Sequence, residues 1–278
     1  EVGLSWDGNG EDQWNIEYGA PGFEPGTGDG FGPFNATTES FSVTGLDPNT
    51  EYSFAIQAVC DTENSFWNTV TTTTLCGIEP AAYYENFDGA SWVSGTDFGN
   101  TDSQNDPCWT ADPEAPAFFW GTREGGTGSG STGPSADASG SGKYVYTEGS
   151  NGVLGDEAFL VSPPIDLSSL TTPSVTFQYH MYGVSMGSFA LEIKTVGDNT
   201  WSELFFVDGE QQTASDDDWL EEIIEIVGFD GEVVQFRFKA VRGDDFFNDL
   251  AVDEFLVDEA PTCFNVSDLV VDNTTVDG

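Results

Sequence analysis

Apolar and polar residues alternate along much of the chain with a period of two. Glu51–Val59 reads E-Y-S-F-A-I-Q-A-V, and Ser174–Tyr179, Phe189–Ile193 and Val233–Phe238 repeat the pattern. In an extended backbone successive side chains point to opposite faces, so each run predicts a half-buried strand. Thr, Val, Phe and Tyr fill these runs, and Gly, Asp, Asn and Pro interrupt them, which is the chemistry of strands and turns. Only Asp217–Ile226 is spaced to make a helical turn, and its W-L-E-E-I-I-E-I equally suits a strand with one acidic face. Short strands with frequent turns predict an all-β chain of sandwich, jelly-roll or barrel type.

Two kinds of segment break the alternation. Gly121–Gly142 is rich in Gly, Ser and Thr and is expected to be a long surface loop, too polar to bury. Cys76–Pro80 and Glu259–Thr262 read as junctions. The expected division is 1–75, 76–260 and a terminal piece at 261–278. A chain of 278 residues has room for one large or two ordinary domains.

Charge narrows the function. The chain carries 49 Asp+Glu against 6 Lys+Arg, a formal net charge of −43. At most six carboxylates have a basic partner. A nucleic-acid partner is excluded, because phosphate binding starts from a basic patch. Binding to an anionic membrane surface is excluded for the same reason, and no run of 18 apolar residues exists for direct insertion. Such charge often means disorder, but 22 Phe, 8 Trp and 8 Tyr are ample material for a core. Four cysteines near turn signals fit disulfides in an oxidising compartment. A single histidine, His180, removes most Ser/His/Asp, Cys/His and multi-histidine metal chemistry.

Trp6 lies in L-S-W, Trp14–Gly19 reads W-N-I-E-Y-G and Leu46–Tyr52 reads L-D-P-N-T-E-Y. In this order they resemble a fibronectin type III domain over residues 1–75. The resemblance implies a seven-stranded sandwich with a tyrosine hydroxyl at Tyr52 bonded back to the chain. The sequence opens at what would be the second strand. Cys263–Gly278, reading C-F-N-V-S-D-L-V-V-D-N-T-T-V-D-G, resembles the missing opening of such a domain. The expectation is one period of a tandem array. Its terminal strand, with Val266, Leu269, Val270 and Val271, completes the first sandwich of a neighbouring copy, head to tail. The alternative is an arbitrary cut.

Residues 76–260 resemble a MAM domain. The matching pieces are C-G-I-E-P and Y-E-N-F-D between Cys76 and Asp88, C-W at Cys108, F-F-W-G at Phe118 and T-G-P-S-A-D at Thr132. They continue with G-K-Y-V-Y at Gly142, A-F-L-V-S-P-P at Ala158, F-Q-Y-H-M-Y-G at Phe177, M-G-S at Met186 and L-A-V-D-E-F at Leu250. The resemblance implies an antiparallel jelly roll, an extracellular location and adhesive or assembly roles. The pairing of two such modules is similar to secreted multidomain bacterial surface proteins. Within the resemblance Cys76 pairs with Cys108. Cys60 and Cys263 are left, and are expected to bond between successive repeats, with two independent thiols as the alternative.

The same resemblance brings Asp88, Asp137 and Asp253 together as ligands of a cation, with Glu85 and Asp106 in second rank. Calcium is the expected ion, because it takes six to eight oxygens. The competing reading is solvated surface acid. Asp7–Asp12, D-G-N-G-E-D, has half the spacing of an EF-hand loop but lacks the closing glutamate, so a plain turn is expected. Asp216–Asp218 and Asp244–Asp249 read mostly as solvated loops. Arg242–Asp244 spells R-G-D where a glycine turn is expected. His180 reads as a packing residue. Asn35, Asn265 and Asn273 begin N-x-[ST] sequons.

These readings point to a non-enzymatic structural and adhesive repeat of an extracellular surface protein or filament. Its partners are neighbouring copies, with cell-surface glycans or proteins as further candidates. The alternative is a glycan-binding accessory module of a secreted enzyme. Trp92, Trp120 and Trp201 would then be the platforms, against core packing for each.

Overall fold

The computed structural model describes residues 1–111 and 117–262. It is all-β, with no helix among the described residues. By its internal contacts the chain divides into Glu1–Ile78 and the portion from Glu79 onward.

The first unit has six strands: β1 (Val2–Ser5), β2 (Trp14–Gly19), β3 (Phe31–Ala36), β4 (Ser40–Val43), β5 (Glu51–Ala58) and β6 (Asn68–Thr73). They form a four-stranded sheet in the order β3-β2-β5-β6 and a two-stranded sheet, β1-β4. Alternation in β2 sends Trp14 and Ile16 inward, where Leu4, Trp6, Phe41 and Ile56 pack against them. The Trp6 and Trp14 rings meet edge to face at 5.5 Å, an arrangement that aromatic quadrupoles favour. The Tyr52 hydroxyl accepts the Asp47 N–H at 3.2 Å, tying the start of β5 to the turn before it. The acidic segment Asp7–Asp12 is a turn: Asp7 Oδ1 accepts the Asn9 N–H, and Asn9 and Gly10 have positive φ.

The second unit runs through β7 (Glu79–Pro80), β8 (Tyr83–Glu85), β9 (Thr110–Ala111), β10 (Trp120–Glu124), β11 (Lys143–Thr147), β12 (Glu157–Val161) and β13 (Ile165–Asp166). It continues with β14 (Pro173–His180), β15 (Ser188–Thr195), β16 (Ser202–Asp208), β17 (Leu220–Glu225), β18 (Val233–Val241) and β19 (Leu250–Glu259). One sheet is ordered β10-β11-β19-β14-β17, with β8 beside β19. The other is ordered β16-β15-β18-β12-β9, with β13 beside β18. All pairings are antiparallel except β7 with β13. The ambiguous segment Asp217–Ile226 resolves as β17, because β14 offers it an edge to pair with from Ser174 to Tyr179.

The core lies between these two sheets. Every second residue of β18 is buried, and Phe238 sits in register with Leu191 on one side and Leu160 on the other. Phe238 also meets the rings of Trp109, Trp120, Phe189 and Phe255 at 5.5 to 6.0 Å. Burying these rings stabilises the unit both through the apolar area removed from water and through their ring-to-ring contacts.

Strand β19 changes face half-way. Leu250 and Val252 point into the core, and so do Phe255 and Val257. A bulge reconciles these parities: two residues of β19, Glu254 and Phe255, oppose Phe177 alone, and Glu254 has a φ of 55°. Asp253 is thereby turned away from the main core, yet it is 1% exposed. What covers it is the long polar segment before β11. Contrary to the expectation of a surface loop, Ser129, Thr132 and Asp137 are buried there. Polar groups can be buried when hydrogen-bonded. Thr132 Oγ1 and the Gly133 N–H both donate to the Tyr182 carbonyl, and the Ser135 N–H to that of Ser215. A second cluster of Tyr144, Tyr146 and Ala251, with Trp219 against it, fills the space beneath.

All six basic residues of the chain lie in the second unit. Arg123, Lys143 and Arg242 donate to backbone carbonyls. Arg237 and Lys239 pair with Glu192 and Glu157. Lys194 and Arg237 lie over the Trp201 ring. They staple loops and cover rings, and so leave most of the acidic surface without counter-charge.

Candidate functional site

A two-stranded sheet cannot cover a four-stranded one, and the first unit shows the consequence. Among the described residues β1 pairs with β4 alone, so its other edge carries no ladder. Beside that edge runs a groove. One hollow of about 260 Å³ is lined by Leu4, Trp6, Phe54, Ile56 and Val70. A second, of about 630 Å³, shares Ser5, Trp6, Ile56 and Asn68 with it and continues to Cys60 and Phe66. Trp6 Nε1 is buried with no hydrogen-bond partner. Val70 is 56% and Phe66 96% exposed. Cys60 is a free thiol; partial desolvation and the Glu11 carboxylate push its pKa up. Cys263, Val266, Leu269, Val270 and Val271 lie outside the described residues. Cys76 and Cys108 are joined in a disulfide.

The predicted cation ligands lie around the start of β11. Asp88 Oδ1 accepts the Lys143 N–H at 2.7 Å. Asp137 approaches the same turn. A methyl group built on Gly142 would lie 2.5 Å from Asp88 Oδ1 and 2.8 Å from Asp137 Oδ2. Asp137 is 5% exposed, and its Oδ1 is buried without a partner. Asp253 reaches the other side of that loop, accepting the Ala138 N–H at 3.0 Å. Burial, then the charges of Glu254 and Asp137, push its pKa up to about 8. Glu85 turns back to the Phe87 N–H, and burial raises its pKa. Asp106 caps the Cys108 N–H. Asp88 and Asp137 thus converge, Asp253 adjoins them, and Glu85 and Asp106 serve their own turns. Among the described residues no three His, Cys, Asp or Glu side chains form a ready metal cage.

A buried acid that sequence reasoning assigned to a solvated loop is Asp249, which is fully buried. Its Oδ1 accepts the Gly149 N–H at 2.9 Å, and its Oδ2 has no partner. Burial, then the charge of neighbouring Glu148, raises its pKa well above the usual carboxylate range. Glu148 is itself 2% exposed and accepts from Ser129 Oγ and the Ser150 N–H. Arg242 brackets the same loop, with Nε donating to the Gly149 and Asn151 carbonyls. The R-G-D tripeptide is therefore no adhesion tip: its arginine is buried in loop stapling.

The three tryptophans proposed as glycan platforms have other duties. Trp92 and Trp120 are 2% and 1% exposed and belong to the core. Trp201 has its ring occupied by Lys194 and Arg237. His180 is buried against Trp219, and burial lowers its pKa to about 4. The exposed aromatics of the second unit include Tyr84, Phe98, Phe206 and Phe246. Sequence reasoning singled out the acids around Phe246 but neither Phe98 nor Phe246 itself.

A family model described as "MAM domain, meprin/A5/mu" matches residues 96–263. MAM domain-containing protein 2 of Homo sapiens is 32% identical over 164 residues, which is 59% of this chain and 23% of that protein. Thyroid hormone-induced protein B of Xenopus laevis is 32% identical over 152 residues, 54% of this chain and 21% of that protein. The chain spans about a quarter of the length of these curated relatives. Among solved structures, the K1 cleaved adhesin domain of Lys-gingipain from Porphyromonas gingivalis W83 is similar at 16% identity with a TM-score of 0.44. That likeness covers 64% of this chain and 98% of the adhesin domain. With its two-sheet antiparallel sandwich built on residues that the family model matches, this chain belongs to the MAM domain family.

Proposed function

We propose that the chain is a non-catalytic adhesive and structural module of an extracellular surface protein or filament, assembled head to tail. The first unit is read as a fibronectin type III-like sandwich short of one strand. The segment containing Val266, Leu269, Val270 and Val271 from a neighbouring copy supplies that strand, lying along β1 over Leu4, Ile56 and Val70. The observation that carries this reading is the unpaired edge of β1 beside an apolar groove. An exposed edge with apolar surface is a pairing hazard unless something covers it, and strand addition satisfies both backbone and side chains. The buried, unpartnered Trp6 N–H supports it as well, since an incoming carbonyl would give it an acceptor. A contact between two different surfaces does not close on itself, so it propagates as a fibre. Cys60 at the far end of the groove fits a covalent bond to the incoming Cys263.

Calcium fits the reading at Asp88 and Asp137. Their facing carboxylates and the unpartnered Asp137 Oδ1 are the hard oxygen donors such an ion takes, with carbonyls and water completing the shell. The ion would tie the loop before β11 to the segment after β8 and relieve carboxylate repulsion. The extracellular setting is supported by the Cys76–Cys108 disulfide. Electron microscopy of the purified chain in millimolar Ca²⁺ tests the assembly. Fibres that vanish on deletion of Cys263–Gly278 are expected, and a monomer indifferent to that deletion would sink the mechanism.

A further inference from the structure

Beside the loop that Arg242 brackets is an open pocket of about 490 Å³, within the size range of small-ligand sites. Phe98 and Phe246 form its walls and are 61% and 40% exposed. The hydroxyls of Ser129 and Ser150 line it, 3.2 Å apart. Arg242 and Asp245 complete it. Two phenylalanines around a small set of hydroxyl, guanidinium and carboxylate groups is a composition found in small-ligand sites.

The walls are held in place. Asn151 Nδ2 donates to the Gly99 carbonyl at 2.9 Å, joining the loop of Phe98 to the loop of Ser150. Arg242 joins that loop to the strand end before Phe246 through the Gly149, Asn151 and Gly243 carbonyls. Phe98 lies across Gly128, where a side chain would come within 3.3 Å of the ring. The site is therefore formed before anything binds, which lowers the entropic cost of binding.

Charge selects the ligand class. An anion meets the field of a chain with a net charge of −43, as well as Asp245 and the buried Glu148 behind Ser129. A cation meets the fixed guanidinium of Arg242. A neutral molecule rich in hydroxyls meets neither penalty. It can donate to Asp245 and to Ser129, whose own proton goes to Glu148, and both donate to and accept from Ser150, while its C–H face packs on phenylalanine. We propose that this pocket binds a neutral carbohydrate, seated between Phe98 and Phe246 with its hydroxyls on Ser129, Ser150 and Asp245. The site lies within the second unit and is independent of assembly through the first.

The test is native gel electrophoresis of the full chain through gels cast with mixed-linkage β-glucan, galactomannan, arabinoxylan or hydroxyethylcellulose, followed by calorimetry with oligosaccharides of any that retards it. Retardation in at least one gel is expected. Phe98→Ala and Phe246→Ala each weaken it about tenfold, the equivalent of ~1.4 kcal/mol. Phe206→Ala removes an equally exposed ring on β16 and leaves binding unchanged. Ser150→Ala, which spares the aromatic packing, also weakens binding, so the test survives a phenylalanine variant that fails to fold. No retardation in any gel, or retardation that persists in both phenylalanine variants, overturns the proposal.

Discussion

Asp88 and Asp137 both reach Gly142: a side chain starting there would lie 2.5 Å from Asp88 Oδ1 and 2.8 Å from Asp137 Oδ2, so only glycine fits. Two carboxylates held this near repel unless a proton or a cation separates them. Millimolar Ca²⁺ should therefore raise the thermal midpoint. At a hundredfold excess over its dissociation constant the gain is about 2.7 kcal/mol. Asp137→Asn should abolish that gain. Differential scanning calorimetry with Ca²⁺ and with chelator checks this, and identical midpoints for the wild type would remove calcium from the reading.

Stability should fall as pH rises from about 4 to about 8. Asp253 has a folded pKa raised to about 8, and that of Asp249 is raised likewise, both mainly by burial, against an unfolded value of about 3.9. The folded chain thus keeps protons that the unfolded chain releases. The stabilisation is complete below the unfolded pKa and is lost as pH climbs through the folded one. Asp249→Asn removes one titration while keeping the shape, so its slope over this range should be shallower. Urea denaturation at a series of pH values in chelator reads the slope, and a wild-type slope of the opposite sign would contradict the burial of these acids.

A synthetic peptide of residues 263–271 should bind the first unit and block fibre growth. Val70→Asp places a charge in the groove at a position already 56% exposed, so folding is spared and peptide affinity should drop at least about tenfold, roughly 1.4 kcal/mol. Fluorescence anisotropy of a labelled peptide measures it. Equal affinity for both proteins would mean the peptide binds elsewhere.

Oxidised assemblies should run as a ladder on non-reducing gels. Cys60→Ser should collapse the ladder to single chains while leaving the fibres visible by microscopy, because the groove contacts are non-covalent. A ladder that survives the substitution would assign the cross-link to other cysteines.

Phe238→Ala should cost about 3–5 kcal/mol, the range for deleting a buried aromatic ring. The residue is fully buried and its ring meets four others. Chemical denaturation of the second unit checks the value, and a loss below about 1 kcal/mol would mean that neighbours collapse into the space.

The strands were legible because alternation and core burial coincide: every second residue of β18 is inward, as its sequence alternates. The approach of Asp88 and Asp137 to one turn has no local signal in the sequence, because the two residues are so far apart along the chain. Asp249 was not legible. In V-R-G-D-D-F-F-N-D it looks like one more loop acid, and only the fold places Glu148 and a buried arginine beside it. The burial of Thr132 and Asp137 was hidden for a similar reason. A Gly/Ser/Thr-rich segment is buried when carbonyls from elsewhere satisfy it, and local composition does not record those partners. The change of face in β19 rests on one residue, Glu254, at a left-handed φ that glutamate rarely adopts. Trp92 and Trp120 went to the core because their size outweighs their polar edge; Trp120 Nε1 still finds the Ala158 carbonyl.

The placement of the six basic residues sets how the molecule meets proteolysis. An enzyme that cuts after lysine or arginine finds no site anywhere before Arg123. Each site it does find is on a strand or held to a carbonyl, a carboxylate or a ring. Cleavage must wait for local opening of the second unit. A set of charges that is almost wholly acidic thus also leaves trypsin-like enzymes little purchase.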